Sequence, residues 1–431
     1  MNRKILQIAL PSIVSNITVP LLGLVDVAIV GHMGAQVYIG AIAVGGMMFN
    51  LLYWIFAFLR MGTSGLTSQA YGRGDMREVD VQLQRSLAVS LLLSLIVLVL
   101  QWPLRESAIY LVGSSQEVAR AARLYFSIGI WGAPAVLCQY SLMGWFIGMQ
   151  NTRFPMVSSI VQNIANIVVS TLLVFGLGMK VEGVALGTVL AQYVGVASSL
   201  LMWYHSYGRE CKAVPMAELF DVEPMLRFFR INRDIFLRTL CIITVTLYFT
   251  SVGAHESDLL LAANTLLMQF FIVFSYVMDG YANAAEALCG HAYGARDHSA
   301  FIGYVRRIFC HGGGMVLLFS IVYALFRLPI IDMLTDVEAV RSVAHGLSLW
   351  TVLIPVSSIV AFVLDGVYIG ITGTRQMLLS LFISAITFFV VLLITRGLMP
   401  TGHALWLSFC CYLFMRGLVL FVAFLRGHFF L

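Results

Sequence analysis

The stretch Gly144-Trp-Phe-Ile-Gly-Met-Gln-Asn-Thr-Arg153 returns 222 residues later as Gly366-Val-Tyr-Ile-Gly-Ile-Thr-Gly-Thr-Arg375. The same shift lays Ala70-Tyr-Gly72 on Ala292-Tyr-Gly294, with no insertion between the two matches. The chain is therefore a tandem repeat, and the surroundings of these matches decide what is repeated. Hydrophobic residues make up 60% of the 431, charged residues 11%, and mean hydropathy is +0.91. A soluble domain of this size carries about a quarter of its residues charged, so the solvent for most of this chain is lipid.

Each helical residue rises 1.5 Å through a hydrocarbon core of about 30 Å, so a span needs about 20 mainly apolar residues. That ruler predicts six spans near 5–30, 38–61, 83–104, 122–147, 154–176 and 183–204. Six more are predicted near 235–254, 258–289, 304–326, 344–370, 376–395 and 401–425. One long polar connection, 205–234, separates the sets. The expected architecture is an all-α polytopic membrane protein of twelve transmembrane helices in two pseudo-symmetric lobes, 1–204 and 235–431, joined by a cytoplasmic linker. An even number of spans per half makes this a parallel repeat, a recurrent transporter plan.

Lys and Arg resist translocation. Placed by these spans, one side holds only Arg105, Arg120, Arg123, Lys180, Arg327, Arg341 and Arg396. The other holds the remaining basic residues, from Arg3 and Lys4 through the linker and Arg238 to Arg426, with Arg416 alone inside the last span. Both termini are predicted to be cytoplasmic in a multi-pass cell membrane protein, most naturally a bacterial inner membrane. The bias also accounts for the net charge of +5 without a nucleic-acid partner. The seven cysteines are scattered through apolar runs and read as packing residues. No small-residue cleavage site follows Arg3 and Lys4 at the right distance, so the first apolar stretch reads as a retained span.

Ionisable groups inside spans are costly and default to function. Asp26 lies in Leu21-Leu-Gly-Leu-Val-Asp-Val-Ala-Ile-Val30, downstream of Pro11 and Pro20, with no Lys or Arg in reach along its helix. There the neutral acid is cheap and the anion expensive, the property a proton-coupled carboxylate needs. The plainer reading is a carboxyl serving as packing glue. Asn163, Asn166 and Ser170 share one face of the fifth span, and Thr188 and Tyr140 on its neighbours are candidates to join them. Such residues also commonly just hold helices together. In the second half Tyr276, Asp279, Asn283 and Glu286 form a stripe on the eighth span, and Asp365 on the tenth adds a third carboxylate. The repeat carries Asp279, Asn283 and Glu286 to Ala57, Met61 and Ser64, so the stripe is not inherited from duplication. If it is structural, Arg416 or Arg60 is the expected ion-pair partner.

His291, Asp297 and His298 read as a solvated turn, and Gly312-Gly-Gly314 lacks the Lys-Ser/Thr of a phosphate loop. No nucleotide-binding or hydrolase motif is legible. No metal or cofactor is expected, and energy must come from an ion gradient, H⁺ or Na⁺.

At these residues the chain resembles the MATE (multidrug and toxic compound extrusion) family, DinF-like branch. Leu24-Val-Asp-Val-Ala-Ile-Val-Gly-His-Met-Gly34 is similar to the family's first-span signature. Phe58-Leu-Arg-Met-Gly-Thr-Ser-Gly-Leu-Thr-Ser-Gln-Ala-Tyr-Gly72 and Asp279-Gly-Tyr-Ala-Asn-Ala-Ala-Glu-Ala-Leu288 resemble the branch's second and eighth spans. Gln162-Asn-Ile-Ala-Asn-Ile167 and Gly176-Leu-Gly-Met-Lys-Val-Glu-Gly-Val-Ala-Leu186 match the fifth and sixth. The resemblance implies a V-shaped pair of six-helix lobes that export varied, often cationic or amphiphilic compounds by alternating access. It implies that Asp26 is the proton or cation site; Asp279 and Asp365, as acids within spans, are further coupling candidates on their own account. Tyr140, Asn166 and Thr188 resemble the polar neighbours of that first acid. Tyr140, Asn163, Asn166, Ser170, Thr188, Tyr276, Asn283 and Glu286 are the expected cavity residues. Ser170 stands where many relatives carry a second acid, which removes a charge from the pocket.

The expected function is thus a monomeric antiporter acting on small organic molecules, with no enzymatic activity. A lipid-linked precursor flippase of the same superfamily would want a cationic cavity, whereas buried acids outnumber buried bases here. An intramembrane enzyme lacks a legible constellation, and fused unequal halves disfavour a channel.

Overall fold

The structure, a computed structural model, describes residues 1–31, 36–112, 115–209, 211 and 214–427. Residues 32–34 of the first-span signature and Lys212 of the linker lie outside them. Every regular element among the described residues is helical. The first helix, α1 (Asn2–Gly31), runs unbroken through Pro11 and Pro20. Eleven further helices are long and apolar enough to cross a membrane. They are α2 (Val37–Gly72), α3 (Met76–Val99), α4 (Gln116–Gly148), α5 (Arg153–Gly176), α6 (Val181–Gly208), α7 (Val222–Glu256), α8 (Asp258–Gly294), α9 (His298–Leu334), α10 (Leu349–Gly370), α11 (Thr374–Thr395) and α12 (Thr401–Arg426).

The helices outrun the predicted spans, most of all at α7. Residues 222–234 were expected in the linker but belong to this 35-residue helix. Glu223, Arg227, Arg230 and Arg233 mark where the chain leaves lipid, yet Glu and Arg are good helix formers and do not end a helix. The connection shrinks to 209–221, which includes the single turn Met216–Leu219.

This segment is docked rather than loose. Arg85 of α3, 2% exposed, donates Nε to the Leu219 carbonyl at 3.0 Å and Nη2 to that of Glu218 at 3.3 Å. Gln84 accepts the Val214 N–H at 3.0 Å, and Val214 and Leu219 pack on Val81. Arg77 grips the Glu218 carboxylate with two nitrogens.

The repeat survives as packing, atom by atom. A Cβ on Gly144 would lie 2.3 Å from the Arg60 carbonyl oxygen, and one on Gly366 2.2 Å from that of Ala282. Gly148 and Gly370 approach the Ser64 and Glu286 carbonyls in the same way, so α2 crosses α4 as closely as α8 crosses α10. Only glycine permits that approach. Asp75 caps α3 through the Glu78 N–H, and Asp297 caps α9 through that of Ala300. Past the ends of α4 and α10, Gln150 and Thr372 both take left-handed backbone, with φ of 61° and 55°. Asn151 N–H returns to the Phe146 carbonyl at 2.8 Å and Gly373 N–H to that of Tyr368 at 2.8 Å, the Schellman closure. Glycine favours this position, so Gln150→Gly should raise stability by roughly 0.5–1 kcal/mol, read as a higher melting temperature in detergent.

The chain divides into two compact units. One is Val14–Phe228; the other combines Met1–Ile13 with Phe229–Leu431. The first thirteen residues thus pack with the second half of the sequence. There Ile5, Ile8 and Ala9 are almost fully buried, and Gly280 of α8 lets the Ala9 carbonyl and Ile13 come against its backbone.

Candidate functional site

In the unit 14–228, three helices bring polar groups to Asp26, which is 5% exposed near the end of α1. Thr188 of α6 donates its hydroxyl to Asp26 Oδ2 at 3.3 Å or to the Val184 carbonyl at 3.0 Å. One hydroxyl has one proton, so these are alternatives. Asn166 of α5 donates Nδ2 to Thr188 Oγ1 at 3.1 Å and acts electrostatically on the Asp26 carboxyl. Tyr125 of α4, 5% exposed, completes the group, in electrostatic reach of both Asp26 and Thr188. Its ring lies flat on Gly45 of α2, where any Cβ would meet it at 2.3 Å. Among the described residues no Lys or Arg pairs with Asp26. The carboxyl has partners but no counter-ion.

The structure brings Asn166 and Thr188, both named from the sequence, beside Asp26, together with Tyr125, which the sequence did not single out. Tyr140, named from the sequence, lies on the same helix in electrostatic reach of Arg60. Asn163 donates Nδ2 to the Thr18 carbonyl at 2.7 Å, pinning α5 to α1 without touching the acid. Ser170 is buried against Gly187 of α6.

The second unit is built differently. Asp365 of α10 receives Arg238 Nη2 at 2.5 Å and Arg416 Nη2, both on Oδ2. Asp279 and Glu286 of α8 act electrostatically on Arg238, and Asp279 also on Arg416. Glu286 is 1% exposed, while Asp279 and its neighbour Tyr276 are half-buried. Arg238 was counted with the charged linker by its place in the sequence; it is instead 5% exposed inside α7. Arg416, expected as an ion-pair partner, is one.

The 222-residue shift shows that neither site is a copy of the other. Asp26, Asn166 and Thr188 fall on Tyr248, Phe388 and Cys410, and the Tyr248 and Phe388 rings touch edge-on at 6.4 Å. Arg238, Asp365 and Arg416 fall on Asn16, Met143 and Val194. One unit holds a lone acid among neutral groups, the other a knot of opposite charges.

The family profile described as MatE matches residues 11–172 and 235–394, one match in each half of the repeat. The chain belongs to the MatE family. It is 38% identical to DNA damage-inducible protein F of Escherichia coli (strain K12) over 420 residues, 97% of this chain and 91% of that protein. A crystal structure of MATE in the bent conformation overlays with a TM-score of 0.88 at 17% identity, covering 99% of this chain and 95% of that one. A MOP superfamily transporter from Pyrococcus furiosus, described as having a binding pocket of reverse polarity that suggests a different function, overlays at 0.85 and 18% identity, covering 98% and 95%. At these identities the overlays speak for the fold. MatE members are transporters, so this chain is a membrane transporter and not an enzyme.

Proposed function

We propose that this transporter is a secondary antiporter that exports organic cations or amphiphilic compounds in exchange for protons by alternating access, with Asp26 as the proton site. The observation that carries the reading is the Asp26 carboxyl, buried among Thr188, Asn166 and Tyr125 with no Lys or Arg paired to it among the described residues. Such a carboxyl gains or loses a proton without breaking an ion pair. Thr188, itself fed by Asn166, turns a hydrogen-bond donor towards it, whereas Na⁺ needs a shell of lone pairs; that favours H⁺ over Na⁺. Resemblance to an efflux family supports the export direction, and the bias of Lys and Arg supports cytoplasmic termini.

Cargo class follows from the second unit. Its two buried arginines are engaged with Asp365, and Asp279 and Glu286 bring the cluster to three acids against two bases. A pyrophosphate-linked lipid would meet net negative charge there, which disfavours the flippase reading. Tyr276, Asp279 and Asn283 are the side chains proposed to meet cargo on α8.

Purified protein in proteoliposomes tests this, with tetraphenylphosphonium as the probe cargo. Labelled cation should exchange for unlabelled cation without a gradient, and an imposed pH gradient should drive its accumulation. Accumulation driven equally by a sodium gradient would overturn the proton assignment; absence of exchange would overturn the carrier.

A further inference from the structure

We infer that α1 and α7 are cross-anchored, each carrying the charged site of one unit while its first turns are held by the other unit, and that Arg85 and Gly280 are the positioning residues of this linkage. The inference rests on the proton reading of Asp26 and extends it to how that site is coupled to cargo.

The helices themselves show the exchange. Residues 14–31 of α1, with Asp26, group with the unit 14–228, but residues 1–13 group with 229–431. In α7, residues 229–256, with Arg238, group with the second unit, but residues 222–228 group with the first. The repeat lays α7 on α1, so this is one arrangement made twice in opposite directions.

Both starts are fastened. Before α7, Arg85 closes on the last carbonyls of the turn Met216–Leu219, and Val214 and Leu219 bury against Val81. A guanidinium that is 2% exposed cannot release those carbonyls without leaving buried N–H donors unpaired. At α1, Ile5 and Ala9 are fully buried and the Gly280 backbone admits the Ala9 carbonyl. The 222-residue shift lays Arg85 on Arg307, and Arg307 donates to Asn2 Oδ1 at 3.3 Å. The same residue, at the same place on the third helix of each half, holds the approach to the other half's first helix.

A displacement of either unit therefore pulls on the helix that carries the other's charged site. Asp26 answers to the second unit through α1, and Arg238 answers to the first through α7. That is a mechanical route for reciprocal coupling, which linkage requires of any exchanger.

The test uses full-length protein in proteoliposomes, with Arg85→Gln and Gly280→Val. Gradient-free exchange of tetraphenylphosphonium and its accumulation driven by a pH gradient are read side by side. Cross-anchoring predicts that accumulation falls about tenfold in each variant while exchange falls far less. A parallel fall in both readouts, or no change in either, would overturn it. Arg85→Lys serves if a variant does not fold: it keeps the charge and loses the two-carbonyl fork, and is expected to lose accumulation selectively. Asp26→Asn runs alongside. If that variant accumulates cargo like wild type, the proton reading fails; if it does not while the anchor variants behave normally, only cross-anchoring fails.

Discussion

Asp26→Asn is expected to reduce proton-driven accumulation to the level seen without a gradient, with the protein still folded and inserted. Asparagine matches the shape of aspartic acid and keeps an oxygen for the Thr188 hydroxyl, so the four-helix contact among α1, α4, α5 and α6 survives. What disappears is the exchangeable proton. In detergent, wild-type protein should release protons when tetraphenylphosphonium binds, and the asparagine variant should release none. Asp26→Glu keeps the acid on a longer arm and should retain part of the activity. Among the described residues no other carboxylate of the unit 14–228 is buried, so none stands ready to substitute. An asparagine variant that pumps at the wild-type rate with the same pH profile would move the coupling site to Asp279.

Asp365→Asn should be the most destabilising single substitution in the second unit, for the opposite reason. Asp365 is not a lone acid but the shared counter-ion of Arg238 and Arg416. Neutralising it leaves two buried guanidinium groups facing each other, and breaking a buried ion pair costs about 3–5 kcal/mol. The melting temperature and the yield of folded protein should both fall. Adding Arg416→Met to Asp365→Asn removes one of the stranded charges and should recover much of the loss, since a buried pair replaced by apolar groups is often tolerated. If Asp365→Asn melts like wild type but loses pH-dependent transport, Asp365 is a titrating site and not a strut.

Spans, repeat and family were legible in the sequence because lipid imposes a one-dimensional rule: apolar length. Asp26 was legible for the same reason, as a charge where length demands none. Its companions were harder. Asn166 and Thr188 stood out as polar groups on apolar helices, whereas Tyr125 did not, since a tyrosine in a membrane helix is ordinarily a packing or interface residue. Only the folded chain brings it within electrostatic reach of Asp26 and Thr188. Arg238 misled in the other direction. It follows a run of loop arginines in the sequence, and nothing local says that α7 carries it inward to Asp365. Polarity reports where lipid stops, not where hydrogen bonding stops, so α7 runs back through residues 222–234 of the polar connection.

The packing of the first thirteen residues also sets an order of events during synthesis. Ala9 and Ile13 leave the ribosome long before α8, whose Gly280 receives them and which is made about 270 residues later. At about 5–20 residues per second, residues 1–13 wait roughly 15–50 s for that partner. Until then the unit 14–228 can assemble, but the first turns of α1 cannot seat. The two halves are therefore not finished one after the other: α1 reaches its full packing only once α8 exists, and a newborn chain stalled before α8 carries an unseated helix end that quality control can read.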